Sequence, residues 1–406
     1  MSILVSNISL PFTAEEEQAI AAAFSVCGIS QEAGVSAQIF RRAVDTRRKP
    51  PRFVWSVSIS GIENEDALVE KLQNPHVRPH KTYTLSSLLE GRRLDVLPLR
   101  PVVVGLGPAG LFAALLLARA GQRPLVLERG GPLEERDHSV ASFLATRNLS
   151  EDSNIQFGEG GAGAYSDGKL TTRINDPLCE AVLDELVAHG APSEVLRTAK
   201  PHIGTDQLKP VVCSIRREIE RLGGTVLFYT KLEEIFVKNG KLTKIRANGE
   251  EFPCDRLILA IGHSARDTAA MLTRSGITVL PKSFAMGVRI EHTQADIDKA
   301  VYGEFAGHPL LAPAEYSLTY KNKGRSCYSF CMCPGGTVVA AASEKGGVVV
   351  NGMSDHARSG PNANSALIVP VDAAVFPEGP LGGMMLARLI EEKAYAAAGG
   401  DYTAPA

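Results

Sequence analysis

The chain has 406 residues, of which 44% are hydrophobic, and this composition is typical of a globular protein of two or three domains. A formal net charge of −2 favours neither nucleic acid nor an anionic membrane as a partner, and seven scattered cysteines fit a reducing cytoplasm better than a disulfide framework. Because residues 101–118 are of marginal length for a membrane helix and residues 1–11 carry no basic signal-peptide region, we predict a cytoplasmic protein without membrane contact.

Residues 1–95 predict a small separate α/β domain. The capping box Thr13-Ala14-Glu15-Glu16 opens its first helix, which ends near Gly28. The predicted elements follow the order βαββαβ: strand 3–10, the helix just described, strands 35–44 and 53–59, helix 63–72 and strand 81–85. This order favours a ferredoxin-like α+β sandwich.

Basic residues cluster around the predicted hairpin tip, beside the aromatic side chains of Phe53 and Trp55: Arg41, Arg42, Arg47, Arg48, Lys49 and Arg52. Such a patch could bind RNA on a sheet face, since the ferredoxin-like and RNA-recognition topologies coincide. No strand rich in aromatic residues accompanies the patch, so a solvated hairpin tip that pairs with acidic surface is favoured.

Residues 102–110 are the most informative stretch of the chain. Three valines predict a buried parallel strand, Gly-x-Gly-x-x-Gly predicts a tight turn, and residues 111–120 predict a helix of strong helix formers. A second buried strand then ends at Glu128. Strand, turn, helix, strand and acid in this order predict a Rossmann-type dinucleotide site.

Each residue of this turn has a predicted role. Gly105 turns the chain, Gly107 lets a pyrophosphate approach the backbone at the helix N-terminus, and Gly110 lets helix and strand pack closely. The carboxylate of Glu128 would bind the adenosine ribose hydroxyls. The predicted cofactor residues of the stretch are Gly105, Gly107, Pro108, Ala109, Gly110, Glu128 and Arg129.

A polar, glycine-dense loop at residues 151–173 gives the next signal. Its glycines would let consecutive N–H groups converge on an anion or lie flat against a ring. A flexible surface loop is the alternative, but the aromatic and apolar residues of the segment are poor linker material. We therefore predict further cofactor contacts from Gly158, Gly160, Gly161, Ala162 and Gly163.

The elements that follow favour FAD as the dinucleotide. They are helices 178–189 and 211–222, strand 225–229, a three-stranded meander and a buried strand at 257–261 that ends at Gly262. The end of that last strand, at Ala260 and Gly262, would lie against the cofactor. A single Gly-x-Gly-x-x-Gly leaves NAD(P)H only as a transient electron donor, with a simple NAD-binding domain as the alternative.

Short strands and turns between residues 283 and 353 predict a mixed or antiparallel sheet that caps the nucleotide-binding domain. The predicted domains are an N-terminal ferredoxin-like domain (1–95), an FAD-binding domain (99–282) with a helical insertion at about 174–210, a substrate or cap β domain (283–370) and a return to the FAD domain (371–406).

Several stretches together resemble one bacterial family: the Arg-rich hairpin, the nucleotide turn, residues 158–172, 200–206, 329–336 and 351–354. The sequence is similar to the FAD-dependent dehydrogenases of uncharacterised function within the glutathione-reductase-like flavoprotein superfamily. The resemblance implies an FAD-binding oxidoreductase with a Rossmann-like FAD domain, an inserted cap sheet and a ferredoxin-like N-terminal domain. Members of the family continue past the region of Gly400 and Asp401 with a last FAD-domain strand and helix, so we expect a C-terminally truncated chain with weakened FAD retention.

Two histidines are acid–base candidates. His263 directly follows the predicted cofactor strand, and His202 precedes Asp206 in a polar segment. Hydride chemistry on a flavin often needs a nearby proton donor, and histidine titrates in the right range. A structural role for each histidine is the favoured alternative.

Cys327, Cys331 and Cys333 have a spacing that fits neither a zinc knuckle nor a cluster loop, so no metal site is predicted. Cys331 and Cys333 are two residues apart and would share a strand face, where their thiols could meet flavin or substrate. Two small buried hydrophobic side chains are the favoured alternative.

The main hypothesis is a cytoplasmic FAD-dependent oxidoreductase that passes hydride between a small organic substrate and the flavin. One alternative is a non-catalytic flavin- or nucleotide-binding protein, which could also contact RNA through residues 1–95. The other is an inert truncated fragment. The sequence predicts neither the substrate nor the oligomeric state.

Overall fold

The computed structural model describes residues 2–92, 94–172, 174 and 176–405 of the chain. Arg173, the last residue of the predicted glycine-dense loop, lies outside these described residues. The chain divides into two compact units. The first unit comprises residues 1–90, 169–203 and 293–315, and the second comprises residues 91–168, 204–292 and 316–406.

The elements of the first half of the chain are β1 (Ser2–Pro11), α1 (Glu16–Cys27), β2 (Ser36–Asp45), β3 (Arg52–Ser60), α2 (Glu65–Leu72), β4 (Val77–His80), β5 (Val102–Val104), α3 (Pro108–Arg119), β6 (Leu125–Leu127), α4 (Leu133–Thr146), α5 (Leu178–Ala188), α6 (Thr205–Arg221) and β7 (Thr225–Leu227). Those of the second half are β8 (Leu232–Lys238), β9 (Lys241–Ala247), β10 (Glu250–Pro253), β11 (Leu257–Leu259), α7 (Arg266–Arg274), β12 (Phe284–Thr293), α8 (Gln294–Tyr302), β13 (Thr319–Asn322), β14 (Arg325–Cys333), β15 (Thr337–Ala341), β16 (Val349–Met353), β17 (Asn362–Val371) and α9 (Gly382–Ala397).

The first unit contains the predicted βαββαβ arrangement. Its antiparallel sheet has the strand order β2-β3-β1-β4, which is the ferredoxin-like topology. The hydrophobic core lies on one face of the sheet and includes Val5, Phe24, Trp55 and Val57. The predicted closing strand at 81–85 was wrong, because β4 ends at His80, which pairs with Ser2 at the start of β1.

The second unit is built around a parallel sheet of order β11-β5-β6-β7, so the protein is of the mixed α/β class. Val103 and Val126, in the two central strands, have no exposed surface. The antiparallel meander β8-β9-β10 connects the edge strand β7 to β11 at the other edge. A long crossover of this kind is what a parallel sheet requires between non-adjacent strands.

Residues 257–259 form a strand, β11, within the predicted range 257–261, but the prediction that this strand is buried was wrong. Ile258 and Leu259 are 38% and 40% exposed. The reason is position in the sheet, since β11 pairs with β5 on one side only and forms the edge.

Helix α6 starts six residues before the predicted 211, although Pro210 removes one backbone hydrogen bond from it. Tertiary contacts hold its first residue, because the Thr205 hydroxyl donates to the Ala164 carbonyl at 2.5 Å and its backbone N–H donates to the Ser354 carbonyl at 3.0 Å. These contacts override the local helix-breaking signal of the proline.

The C-terminal part of the second unit contains the antiparallel arrangement that the alternating strands predict. One sheet has the order β12-β17-β14-β13, and β15 and β16 form a separate hairpin. Helix α9 follows. Among the described residues, no helix combines the length and the apolar character that crossing a membrane requires.

Candidate cofactor and substrate site

A cavity of about 420 Å³ opens in the second unit at the carboxyl ends of β5, β6 and β11. Ligands of open parallel sheets bind at this edge. Its walls are the predicted nucleotide turn, the end of β6, part of the glycine-rich loop, the segment before β8 and the segment after β11: Gly105, Gly107–Ala109, Glu128–Arg129, Gln156–Gly158, Gly161–Ala162, Thr230–Leu232 and Leu259–Ala265. We call it the nucleotide cavity.

The three glycines of the nucleotide turn differ in what requires them: backbone conformation, packing or the approach of a ligand. Gly105 has φ +96°, a conformation that favours glycine. A Cβ on Gly110 would collide with the carbonyl oxygen of Gly105, so this glycine is required by the packing of α3 on the turn. A Cβ on Gly107 would meet only the Cα of Gly161, at 3.8 Å. The protein itself therefore leaves room for a Cβ at Gly107, so the packing of the chain does not explain this glycine, whereas a ligand in the cavity would.

Helix α3 points its N-terminus at this cavity. Gly107 is the N-cap residue and Pro108 occupies the first turn, where its missing N–H costs nothing. The first N–H groups of a helix have no intrahelical acceptor and carry partial positive charge, so they attract phosphate oxygens. The end of β5 and the start of α3 thus form a phosphate-binding geometry.

Glu128 is 4% exposed and is tied to the backbone around it. Its carboxylate accepts hydrogen bonds from the N–H groups of Leu106 at 2.7 Å, Gly130 at 2.9 Å and Gly158 at 3.0 Å. It therefore joins the nucleotide turn to the glycine-rich loop. Because it also lines the cavity, the predicted contact with a ribose stays compatible with its position.

Arg129 has two acidic partners. Its guanidinium donates to Asp152 at 2.7 Å and to Asp267 at 3.0 Å and lies over the ring of Phe157, 4.0 Å from its centre. Lys231 adds a further cation to this group, 3.4 Å from Asp267. Through these contacts the side chain of Arg129 stabilises the wall of the nucleotide cavity.

Arg136 supports the glycine-rich loop through hydrogen bonds, and the sequence did not predict this role. Its side chain has no exposed surface, and its guanidinium donates to four backbone carbonyls, those of Asn154, Ile155, Glu159 and Gly161, at 2.6–2.9 Å. Burial lowers the pKa of Arg136 to about 10. Nothing in the local spacing marks an arginine of helix α4 as a partner of a loop about twenty residues later.

A second cavity, of about 690 Å³, shares Gln156, Ala162, His263 and Ser264 with the first. We call it the apolar cavity, since most of its remaining walls are aliphatic or aromatic: residues 279–281 and 284–286, Ala341, Val349, Val350, Met384 and Ala387. The two cavities adjoin within the second unit. A mostly apolar cavity with a few convergent polar groups is the usual form of a small-molecule site.

His263 follows β11 and lies at the junction of the two cavities, so its predicted place beside a cofactor stays a prediction that this position allows. Its Nδ1 is 2.7 Å from the Ser264 hydroxyl, which in turn donates to the side-chain carbonyl of Gln156. Ser264 and Gln156 were not predicted, although each is a sequence neighbour of a predicted segment. The arrangement holds an imidazole next to both cavities, where it could exchange a proton with a bound molecule.

Other predicted site residues lie elsewhere. Gly110, Gly160 and Gly163 support the turn and loop without lining either of the two cavities. His202 belongs to the first unit and forms a β-bridge with Lys169. Its predicted role in catalysis stays a prediction.

The prediction that Cys331 and Cys333 share a strand face was wrong. A bulge interrupts β14 between Phe330 and Cys333, and Cys331 has φ +46°. The extra residue breaks the two-residue alternation on which the argument rested. Cys333 is fully buried and Cys331 is half-buried, and the lining of the two cavities includes neither residue.

Comparison with known proteins gives one match for the C-terminal region and one for the whole chain. Residues 283–406 match the family described as FAD-dependent protein, C-terminal domain-like. A relative from Clostridium beijerinckii, described as an uncharacterized protein, is 46% identical over 409 residues, which cover 100% of this chain and 76% of the relative.

Similar solved structures are distant. Glycine oxidase from Geobacillus kaustophilus is 14% identical with a TM-score of 0.35, over 73% of this chain and 77% of that one. Glycerol-3-phosphate dehydrogenase from Bacillus halodurans, complexed with FAD, is 12% identical with a TM-score of 0.32, over 75% of this chain and 53% of that one.

Proposed function

This chain belongs to the family of the Clostridium beijerinckii protein, and from that premise we propose that it is an FAD-dependent oxidoreductase acting on a small organic substrate. The match of residues 283–406 to an FAD-dependent family supports FAD as the dinucleotide. The same region supplies Val349, Val350 and Met384 to the apolar cavity, so the matched segment contributes to a cavity wall.

One observation carries the proposal. The nucleotide cavity brings together the N-terminus of α3, the buried carboxylate of Glu128 and the unfilled space at Gly107. A helix N-terminus suits a pyrophosphate, a carboxylate suits ribose hydroxyls, and a bare glycine lets a ligand reach the backbone. The residues present therefore fit the adenosine-diphosphate half of FAD.

The adjoining apolar cavity would take the flavin end and the substrate. When bound, FAD supplies the redox chemistry through hydride acceptance or donation at its ring. The aliphatic walls exclude water and orient an organic substrate. At the junction of the two cavities, the imidazole of His263 donates a proton to the bound molecule or accepts one from it. NAD(P)H as a transient electron donor remains part of the proposal.

An absorbance spectrum of the purified chain, recorded before and after addition of FAD, tests the proposal. We expect added FAD to bind with a changed flavin spectrum and to saturate at about one FAD per chain, as a single dinucleotide turn implies. Failure to bind FAD even when it is added in excess would contradict the proposal. So would a tight, stoichiometric NADPH complex of flavin-free protein, since Glu128 would repel the 2′-phosphate.

A further inference from the structure

The first unit contains a cavity of about 200 Å³ that the proposed function does not use. It lies on the sheet face that points away from the core: Gln38 and Ser58 are register partners there, whereas their neighbours Ile39 and Val57 belong to the core. Helix α5 supplies the opposite wall. An RNA-binding sheet of this topology would use this face, and here α5 occupies part of it.

Some charged groups of this cavity already have protein partners. The Nε2 of His80, whose side chain is 9% exposed, lies 3.0 Å from a carboxylate oxygen of Glu180. Arg197 forms a long ion pair of 3.7 Å with Glu16, and both of these side chains are about half exposed. The first pair is fixed by burial, whereas an exposed pair of this kind contributes little and can exchange its partner.

Two groups of opposite charge remain, Arg41 on the sheet and Asp184 on α5. The Nε of Arg41 is buried and has no hydrogen-bond acceptor among the described residues. The same part of the chain provides no ion-pair partner for the Asp184 carboxyl, whose pKa is raised by burial and then by the negative charges of Glu180 and Glu185. Buried polar groups in native proteins normally have partners, so the Arg41 Nε calls for an acceptor from outside the chain. The half-buried Asp184 carboxyl lines the same cavity and offers a negative charge there.

We propose that this cavity binds a small zwitterion, of the size of a short α-amino acid, with its carboxylate on Arg41 and its ammonium group near Asp184. A guanidinium binds a carboxylate through charge-assisted hydrogen bonds. The volume is below the range of about 300–1,000 Å³ that holds drug-sized ligands. The site lies wholly within the first unit and its occupancy does not depend on FAD.

Thermal unfolding and titration calorimetry of the whole chain, with matched probes at millimolar concentration, test this site. L-alanine carries both charges, whereas propionate and ethylammonium each carry one. We expect L-alanine to raise the unfolding temperature and to give a measurable heat of binding, and each single-charge probe to bind about tenfold more weakly or worse. Equal responses to all three probes, or no response to any of them, would overturn the proposal.

Variants locate the site. Arg41→Gln and Asp184→Asn should each weaken L-alanine binding by about tenfold or more, since each removes one charge-assisted contact. Arg48→Gln and Glu70→Gln change exposed charges in the same unit away from the cavity and should bind like the parent chain. Asp184→Asn removes a disfavoured charge and so should fold normally, which separates lost binding from lost structure. Unchanged binding in both cavity variants would place L-alanine elsewhere and end the proposal.

Discussion

The nucleotide cavity and the small cavity of the first unit are built in different ways. The first is made mainly of backbone: a glycine turn, a helix N-terminus and a loop whose N–H groups bind one carboxylate. The second is made of side chains from β2, β3, β4 and α5, which come from distant parts of the sequence. Sites made of backbone require glycines at fixed spacing and so leave a local signature, whereas a site assembled from side chains of distant segments leaves none.

The largest effect should come from a side chain on which the backbone-built cavity depends. Arg136→Met would leave four backbone carbonyls, three of them on buried residues, without their donor, and we expect a loss of about 3–5 kcal/mol in the free energy of unfolding. Chemical denaturation measures it. Arg217→Met, on the exposed face of α6, is the matched control and should stay within about 0.5 kcal/mol of the parent. Equal stability of the two variants would show that Arg136 does not support the loop.

The next effect concerns the carboxylate that joins turn and loop. Glu128→Ala removes the acceptor of three backbone N–H groups, and we expect a loss of about 2–3 kcal/mol in unfolding free energy together with weaker FAD binding. Denaturation and a flavin titration measure the two losses. Glu250→Ala, at an exposed strand position, should change neither. A variant with normal stability and normal flavin affinity would remove Glu128 from the account.

The sequence predicted those parts of the molecule that depend on neighbours in the chain. The turn from Gly105 to Gly110 and the acid at Glu128 follow from the geometry of one strand–turn–helix–strand unit, and the order of elements in residues 1–95 follows from local periodicity. Arg136 could not be found, because its partners lie on a loop whose path is set by tertiary packing.

Three errors have the same physical origin. Burial of β11 depends on which strands flank it, and it has one neighbour, β5. The face of Cys331 depends on a bulge set by the pairing of β14 with β17. The start of α6 depends on the contacts of Thr205 with Ala164 and Ser354. Each feature is decided by residues far away in the sequence.

The smallest expected effect concerns Asp184, which lines the small cavity of the first unit. The pKa of Asp184 is raised by burial and by Glu180 and Glu185, while Arg41 and His80 face the same cavity from the sheet. A raised folded-state pKa gives stability that is present below the ordinary value of 3.8 and is lost as the pH rises through the folded-state pKa. Asp184→Asn should therefore unfold at a higher temperature than the parent at neutral pH, and the difference should vanish as the pH falls to 3.8. A parent that is more stable than the variant at neutral pH would mean that Asp184 already has a cationic partner.

The central claim is that the space at Gly107 belongs to a ligand of the nucleotide cavity. A flavin titration of Gly107→Val against Gly163→Val tests it most directly, because a Cβ at Gly163 meets no atom within 4 Å and this residue does not line the cavity. Both variants should fold, since a Cβ at either position meets no protein atom closer than 3.8 Å. The account predicts that Gly107→Val loses FAD binding by about a hundredfold or more, as expected when a branched side chain blocks the approach of the pyrophosphate, while Gly163→Val binds as the parent does. Equal FAD affinity of the folded Gly107→Val variant and the parent chain would contradict it.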